Sequence, residues 1–235
     1  MKLLRLLPLL CLSIAFASAA DSQPKTLLAE RGKSLLSHDL KTAPDGNDWK
    51  AAKGKWEAVG GALQGAEIPE DKHGAVTRHQ LAFKDAVIQF DIKFDGAKST
   101  SISLNDAKEH VARVILGPTG FTVQKDDHDH DGPDAAVVFG RRNVKLAPGE
   151  WHTVVVEIVG DTLLASVDGA NATFGANELI ATQKANLGFT VSGQSASFRN
   201  LRVWEATANK DWAKTKATIP PAPVPPAAPA KKPAA

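Results

Sequence analysis

The stretch Val87–Asp95, which reads VIQFDIKFD, is the strongest indication of the fold class of this 235-residue chain. Every second side chain in it is large and apolar: Ile88, Phe90, Ile92 and Phe94. The side chains between them are polar: Gln89, Asp91 and Lys93. An apolar face that repeats every two residues predicts a half-buried antiparallel β-strand.

Similar alternation continues on both sides of this strand, from about residue 35 to residue 206. Tight turns separate the alternating stretches, at Gly60–Gly61, Gly160–Asp161 and Asp168–Gly169. Glycine and aspartate in such short connections favour hairpins. Many short strands joined by turns predict an all-β sandwich or barrel, in which one sheet presents a polar concave surface to a ligand.

The first 20 residues have the layout of a secretory signal. Lys2 and Arg5 precede an apolar run from Leu6 to Phe16, and small residues follow the run. A spanning helix takes about 20 apolar residues, so this run is too short to cross a membrane. The layout predicts that residues 1–20 are removed, that the protein is secreted or periplasmic, and that it has no membrane span.

The rest of the chain divides into four predicted segments. They are an N-terminal leader (21–34), the β domain (35–207), a short helix that docks Trp212 (208–219) and a tail (220–235). The tail consists mostly of proline and alanine. This composition predicts a disordered end, or a spacer that makes contact with the cell envelope or wall.

Charge and cysteine content exclude several classes of function. The 28 basic residues exceed the 26 acidic residues by two, and the signal segment holds Lys2 and Arg5 and no acidic residue. A balanced domain does not have the excess of Lys and Arg on which nucleic-acid binding depends. The single cysteine, Cys11, also lies in the signal segment. The domain therefore has neither an internal disulfide nor a thiolate metal site.

Four local sequences carry a resemblance to a known family: WKAAKGKWEAVGGALQG (49–65), GEWHTVVVEI (149–158), GDTLLASVDG (160–169) and FRNLRVW (198–204). In order and spacing they are similar to the 3-keto-disaccharide hydrolase family, which is often placed beside family 16 glycoside hydrolases. The resemblance implies a concanavalin A-like jelly-roll β-sandwich of two antiparallel sheets. It also implies a secreted protein that hydrolyses glycosidic bonds of sugars oxidised at C3.

The resemblance also points to particular residues. The sequence Gly120–Gln124 is similar to a family strand that reads Gly-Tyr-Glu-Val-Gln, with Thr122 at the position of the glutamate. Arg113 matches an arginine at the end of the preceding strand, and Asp126 matches the acid that closes this one. No glutamate in the chain is followed two residues later by aspartate, so the carboxylate pair of family 16 glucanases is absent.

The densest group of polar residues is Lys125–Asp131, which reads KDDHDHD. Alternating carboxylates and imidazoles can supply oxygen and nitrogen ligands to a divalent ion such as calcium or zinc. The candidate metal ligands are Asp126, His128 and His130. The alternative is a solvated acidic loop, because runs of charge are usually exposed, and the sequence makes no cofactor certain.

A second polar group, Asn105–His110, lies at a predicted turn between two strands. Asp106 is either a turn cap or one half of a carboxylate–histidine pair that moves a proton. Arg113 interrupts an apolar strand, so we expect it to find a partner and to hold an oxyanion or a keto oxygen. Strict alternation places His110 and Arg113 on opposite faces unless a β-bulge intervenes. The predicted catalytic residues are Asp106, Arg113 and Asp126.

Polar residues of the predicted strands are the candidates for substrate binding: Gln89, Asp91, Asn105, Gln124 and Lys125. A ligand site would be favoured if five side chains converged in one concave pocket: Gln89, Asp91, Arg113, Gln124 and Asp126. A third polar group, Glu70–Gly74 with Arg78 and His79, is predicted to lie on a loop.

Three tryptophans are predicted to anchor the core because each can bury a large area: Trp56, Trp151 and Trp204. The sequence leaves two functions of different classes open. One is a hydrolase or lyase that acts on 3-keto-disaccharides or 3-keto-glycosides. The other is a non-catalytic glycan-binding module of the cell envelope. Both predict a carbohydrate ligand and no nucleic acid.

Overall fold

Two antiparallel β-sheets form the domain in the computed structural model, which describes residues 23–46, 48–130 and 132–223. The predicted signal segment 1–20 and the tail beyond residue 223 lie outside the described residues. The strands are β1 Ala29–His38, β2 Trp49–Lys53, β3 Lys55–Val59, β4 Ala62–Ala66, β5 Ala75–Phe83, β6 Ala86–Phe94, β7 Ala97–Asn105, β8 His110–Gly117, β9 Gly120–Lys125, β10 Val137–Asn143, β11 Trp151–Val159, β12 Thr162–Val167, β13 Asn171–Ala176, β14 Lys184–Gly193 and β15 Ser195–Ala208.

The two sheets are built from strands of both halves of the chain. Sheet A has the order β13-β12-β11-β6-β15-β4-β3, and β1 also pairs with the long strand β15. Sheet B has the order β10-β9-β8-β7-β14-β5-β2. All the pairings are antiparallel, so the predicted all-β sandwich of two antiparallel sheets is confirmed.

Aromatic side chains join the two sheets. Phe189 of β14 in sheet B stacks on Phe198 of β15 in sheet A, with ring centroids 4.2 Å apart. Phe90 of β6 meets Phe189 edge-on at 5.0 Å. The apolar face predicted for β6 is confirmed, because its four members are at most 1% exposed: Ile88, Phe90, Ile92 and Phe94. Alternate residues of each strand must therefore point away from the core, onto the outer faces of the sheets.

The domain begins earlier than the sequence indicated. Strand β1 starts at Ala29, inside the segment 21–34 that was predicted to be a leader. The reason is Glu157, a buried carboxylate on the outer face of sheet A. Its oxygens accept hydrogen bonds of 2.8–3.0 Å from the backbone N–H groups of Leu27, Leu28 and Ala29. A buried carboxylate needs such donors, so it fixes the entry of the chain into the sheet.

The prediction that Arg78 and His79 lie on a loop is wrong, because both residues lie within β5. Glu70 lies in a single 3₁₀ turn, Pro69–Asp71, as part of a connection between β4 and β5. The core-facing positions of β5 include the polar Thr77 and His79, which both contact Trp49. These polar residues hide the period-two pattern that reveals the other strands.

The tryptophan prediction is confirmed for one residue and wrong for two. Trp56 is 7% exposed and packs in the core. Trp151 and Trp204 are half-buried on the outer face of sheet A. The guanidinium of Arg199 lies 4.1 Å from the Trp151 ring centroid, and that of Arg31 lies 5.0 Å from the Trp204 ring centroid.

The C-terminal part of the described chain returns to the domain. A short helix, α1 Trp212–Lys216, places Trp212 edge-on against Phe174 at 5.2 Å, as predicted. The carbonyls of Pro220 and Pro221 accept hydrogen bonds from the Arg142 guanidinium, so the first residues of the predicted tail lie along β10. Within the described part of the chain, no helix has the length and hydropathy needed to cross a membrane.

We expect Glu157→Gln to lower the free energy of unfolding by about 1–3 kcal/mol, because the new amide group turns a donor toward backbone donors. Urea unfolding measures the loss, and hydrogen exchange at residues 27–29 locates it. The matched control is Glu178→Gln, at an exposed position away from this segment. Equal stability and unchanged exchange in the Glu157 variant would contradict the anchoring role.

Candidate functional site

A row of polar side chains crosses the outer face of sheet B. Ser103 of β7, Arg113 of β8 and Gln124 of β9 are direct partners across the three strands. Direct partners in antiparallel strands share one face. Their neighbours on both sides point into the core, which places this row on the solvent side. Asn105 of β7 and Asn186 of β14 are also direct partners, one step further along the sheet.

A β-bulge brings His110 onto the same face. Asn105 pairs with His110, but the preceding residue of β7, Leu104, pairs with Ala112, so one residue of β8 is unpaired. The bulge removes the conflict between His110 and Arg113 that strict alternation had raised. The Nδ1 atom of His110 lies 2.5 Å from Oδ1 of Asn105.

The hydrogen bonds of Asn105 determine the tautomer of His110. Asn105 uses its Nδ2 amide to donate to Oδ1 of Asn186 at 2.7 Å, which leaves Oδ1 as its acceptor. His110 must then donate from Nδ1, and its Nε2 atom carries the lone pair. Among the described residues, none forms a hydrogen bond with that Nε2 atom. His110 therefore presents a free acceptor to the outer face of sheet B.

The charge state of His110 is set by its surroundings. Burial lowers its pKa to about 4, and the positive charges of Arg113 and Arg78 add to this effect. The imidazole is therefore neutral throughout the physiological range. A neutral imidazole with a free nitrogen can accept a proton.

Arg113 has a carboxylate partner, as the sequence analysis expected. Its Nε atom lies 3.1 Å from Oδ2 of Asp126, an ion pair whose angle does not make a hydrogen bond. Oδ1 of Asp126 accepts a hydrogen bond of 2.7 Å from Gln124. Burial raises the pKa of Asp126, and the opposing effects of Arg113 and Gln124 are smaller. Asp126 is 5% exposed, so its carboxylate is available to Arg113 and not to a ligand in solvent.

Arg78 belongs to this site although the sequence placed it on a loop, and Asn186 is the site residue that the sequence did not suggest. Arg78 lines a cavity of about 280 Å³ with Asn105, Asp106, Glu109, His110 and Asn186, and Arg113 lies outside this lining on the neighbouring strand β8. Burial and the nearby charge of Arg113 lower the pKa of Arg78. In the described structure, no side chain or carbonyl accepts a hydrogen bond from the terminal nitrogens of Arg78 or Arg113. Two such guanidinium groups form a site for developing negative charge.

Asp106 acts as a turn cap at the rim of this site. Its Oδ1 atom accepts hydrogen bonds from the backbone N–H groups of Lys108 and Glu109. Its Oδ2 atom lies 2.8 Å from Nε2 of His128. Burial alone would raise the pKa of Asp106, but these backbone donors and His128 outweigh it and the pKa is lowered. Both oxygens are thus engaged in holding the turn and the 126–135 loop together.

The three candidate metal ligands face separate partners. Asp126 pairs with Arg113, His128 with Asp106, and Nε2 of His130 lies 3.1 Å from Glu109. No group of three or more His, Cys, Asp or Glu side chains in the described ranges is arranged to hold one ion. The residues present therefore do not fit the divalent ion that the KDDHDHD sequence suggested.

Three predicted substrate-binding residues lie away from the sheet B site. Lys125 points into the domain, where its Nζ atom binds Asp134 and donates to the Ala135 carbonyl at 2.9 Å. Gln89 and Asp91 belong to β6 and lie on the outer face of sheet A. The alternation of β9 itself could have placed Lys125 inward, because Phe121 and Val123 occupy the same face. Of the predicted set, Asn105 and Gln124 join Arg113 and Asp126.

A family model described as a 3-keto-alpha-glucoside-1,2-lyase-like domain matches residues 39–204. A search of curated protein sequences gives no match.

Several solved structures share the fold at low sequence identity. The carbohydrate-binding module CBM66 from Bacillus subtilis has a TM-score of 0.57 and 14% identity, covering 70% of this chain and 99% of its own. The laminarinase from Rhodothermus marinus has a TM-score of 0.57 and 11% identity, covering 77% and 99%. The family 16 endo-β-1,3(4)-glucanase SCLam has a TM-score of 0.54 and 12% identity, covering 80% and 98%. The fold is thus shared by a binding module and by enzymes.

We expect His110 to titrate near pH 4 in an NMR pH series of the imidazole signals. Arg113→Met removes one of the positive charges that disfavour imidazolium, so the midpoint should rise toward the ordinary value of 6.5. Arg141→Met removes an exposed charge elsewhere on sheet B and should leave the midpoint unchanged. A wild-type midpoint near 6.5 would show that His110 is not buried beside the two arginines.

Proposed function

Because the chain belongs to the family of 3-keto-alpha-glucoside-1,2-lyase-like domains, we propose that its sheet B face binds a 3-keto-glycoside and cleaves it by proton abstraction. The observation that carries the proposal is the neutral His110, which lines the same cavity as Arg78 and whose Nε2 atom has no hydrogen-bond partner among the described residues. A base beside a group that stabilises an oxyanion is the arrangement that enolate chemistry requires.

The proposed reaction begins at C2 of the sugar, where the neighbouring ketone makes the C–H bond acidic. His110 Nε2 takes the C2 proton, and the electron pair moves onto the C3 oxygen as an enolate. Arg113 and Arg78 stabilise this negative charge. The charge also offsets the repulsion that lowers the pKa of His110, so the base strengthens as it accepts the proton.

Collapse of the enolate completes the cleavage. The electron pair forms a double bond between C1 and C2, the bond from C1 to the glycosidic oxygen breaks, and the leaving oxygen takes a proton from water. His110 returns its proton to solvent. The products are an unsaturated keto sugar and a free alcohol or sugar. Addition of water across the new double bond then gives the products of hydrolysis. Elimination alone is a lyase reaction, and elimination followed by this hydration is equivalent to hydrolysis.

A non-catalytic glycan-binding module is the second candidate function. It is favoured by Thr122, which stands on the outer face of β9 where the family strand carries a glutamate. On this alternative the same polar face holds a sugar by hydrogen bonds, and no bond is broken.

The test is release of nitrophenol from 4-nitrophenyl 3-keto-α-glucoside. We expect turnover by the natural chain, and a loss of about 10²–10⁴-fold in kcat/KM in His110→Ala and Arg113→Met. His73→Ala removes an exposed histidine outside the site and should behave as the natural chain. Deuterium at C2 should slow the reaction, and activity should fall as pH drops through about 4, where His110 becomes protonated.

The outcomes separate the two functions. Binding of the keto-glycoside without product, weakened in Arg113→Met, would establish the binding module and overturn the catalytic proposal. Cleavage of the unoxidised 4-nitrophenyl α-glucoside at the same rate would contradict the enolate mechanism, because that substrate has no ketone. If the chain neither binds nor cleaves the 3-keto-glycoside, both proposed functions are contradicted.

We also propose that the protein acts outside the cytoplasm. Support comes from residues 1–20, which have a basic start, a short apolar run and small residues at the exit. N-terminal sequencing of the protein from the extracytoplasmic fraction should find a chain that begins at Ala20 or Asp21. Recovery of the full-length chain from the cytoplasm alone would contradict this.

A further inference from the structure

A second polar pocket lies on the outer face of sheet A, away from the site described above. It has a volume of about 410 Å³, within the range of about 300–1,000 Å³ typical of small-molecule sites. Its lining residues come from the N-terminal segment, β6, β11 and β15: Gln23, Pro24, Gln89, Asp91, Thr153, Arg199, Asn200, Arg202 and Trp204. Gln89 and Asp91, which the sequence analysis selected for ligand binding, are therefore in a pocket of their own.

Rows of paired residues build the floor of this pocket. Thr153, Asp91 and Arg199 are direct partners across β11, β6 and β15. The two oxygens of Asp91 accept hydrogen bonds from Thr153, Arg199 and Asn200, at 2.8, 3.0 and 2.8 Å. The single carboxylate that lines the pocket is thus fully occupied by its neighbours.

Two arginines at this pocket form no ion pair with a described residue: Arg202 lines it, and Arg31 lies at its edge against the lining residues Pro24 and Gln89. Arg202 lies beside Gln89 in the next row, and its Nη1 atom donates only to the backbone carbonyls of His38 and Leu201. Arg31 donates to the Pro24 carbonyl at 2.9 Å and reaches Oε1 of Gln89 at 3.4 Å. No ion pair of either side chain occurs within the described ranges.

The guanidinium groups are held in place before any ligand arrives. Arg199 lies over Trp151 and Arg31 over Trp204, which restricts both side chains. The N-terminal segment closes one side, where Glu157 binds the backbone at residues 27–29 and keeps Pro24 against Arg31. Glu157 is nearby and negative, but the three arginines outnumber Asp91 and Glu157, so the pocket remains positively charged.

We propose that this pocket binds an acidic sugar unit, whose carboxylate or sulfate group is held by Arg31 and Arg202. Arginine donors in a fixed plane suit the paired oxygens of such groups. The amides of Gln89 and Asn200 lie beside them to bind sugar hydroxyls. The site is on the opposite sheet from His110, so the chain can hold an acidic glycan while the sheet B face is free. This proposal stands independently of the proposed function.

Isothermal titration calorimetry with trigalacturonate, a sulfated disaccharide and cellotriose tests the proposal. We expect binding of the carboxylated or the sulfated sugar, weakened by salt, and none of neutral cellotriose. Arg202→Met should weaken binding at least tenfold, and Arg31→Met is the second variant in case the first does not fold. Arg141→Met removes the same charge from an exposed position on sheet B and should bind within twofold of the natural chain.

The comparison of variants also locates the bound sugar. Arg113→Met should leave binding of acidic sugars unchanged, and Arg202→Met should leave cleavage of the 3-keto-glycoside unchanged. Which of the two acidic sugars binds more tightly identifies the anionic group. Equal binding of cellotriose, unchanged binding in folded Arg202→Met and Arg31→Met, loss of binding in Arg113→Met, or no binding of either acidic sugar would each overturn the proposal.

Discussion

The contact of Phe189 with Phe198 across the two sheets is the constraint on which the rest of the molecule depends. It brings β14 of sheet B against β15 of sheet A, and Phe90 of β6 packs onto the same pair. With these rings inside, each strand has one face left for solvent, and polar residues fall into rows across neighbouring strands. Both candidate ligand sites are rows of this kind, one on each sheet, so a single core supports both of them.

The two faces use arginine in different ways. On sheet B, the Arg113 guanidinium is paired below with the buried Asp126, and its outer nitrogens stay free beside Arg78 and the neutral His110. This combination suits charge that develops during a reaction. On sheet A, the guanidinium groups of Arg199 and Arg31 lie over tryptophan rings, and Asp91 is fully hydrogen-bonded. That combination suits a charge that the ligand already carries.

Sequence periodicity was sufficient to predict a strand where the buried side chains are apolar, as in β6. It failed for β5 because its inward positions include the polar Thr77 and His79, which contact Trp49 and form hydrogen bonds with backbone carbonyls. For the site, Arg113 could be predicted because a charge within an apolar strand needs a partner, and Asp126 could be predicted from the family resemblance. The face of His110 depends on a bulge that alternation cannot reveal. The neighbours Arg78 and Asn186 come from strands distant in sequence, so only the sheet order brings them to His110.

The position of Thr122 explains why the proposed chemistry centres on His110. The hydroxyl of Thr122 cannot act as the general acid or base that a glutamate carboxyl group would provide at this position. On the same outer face, the His110 imidazole offers the lone pair of Nε2, because the hydrogen bonds from Asn105 to Asn186 and from His110 Nδ1 to Asn105 determine its tautomer. Substrates without an adjacent ketone have no proton acidic enough for so weak a base. The proposed mechanism therefore requires an oxidised sugar and does not extend to ordinary glycosides.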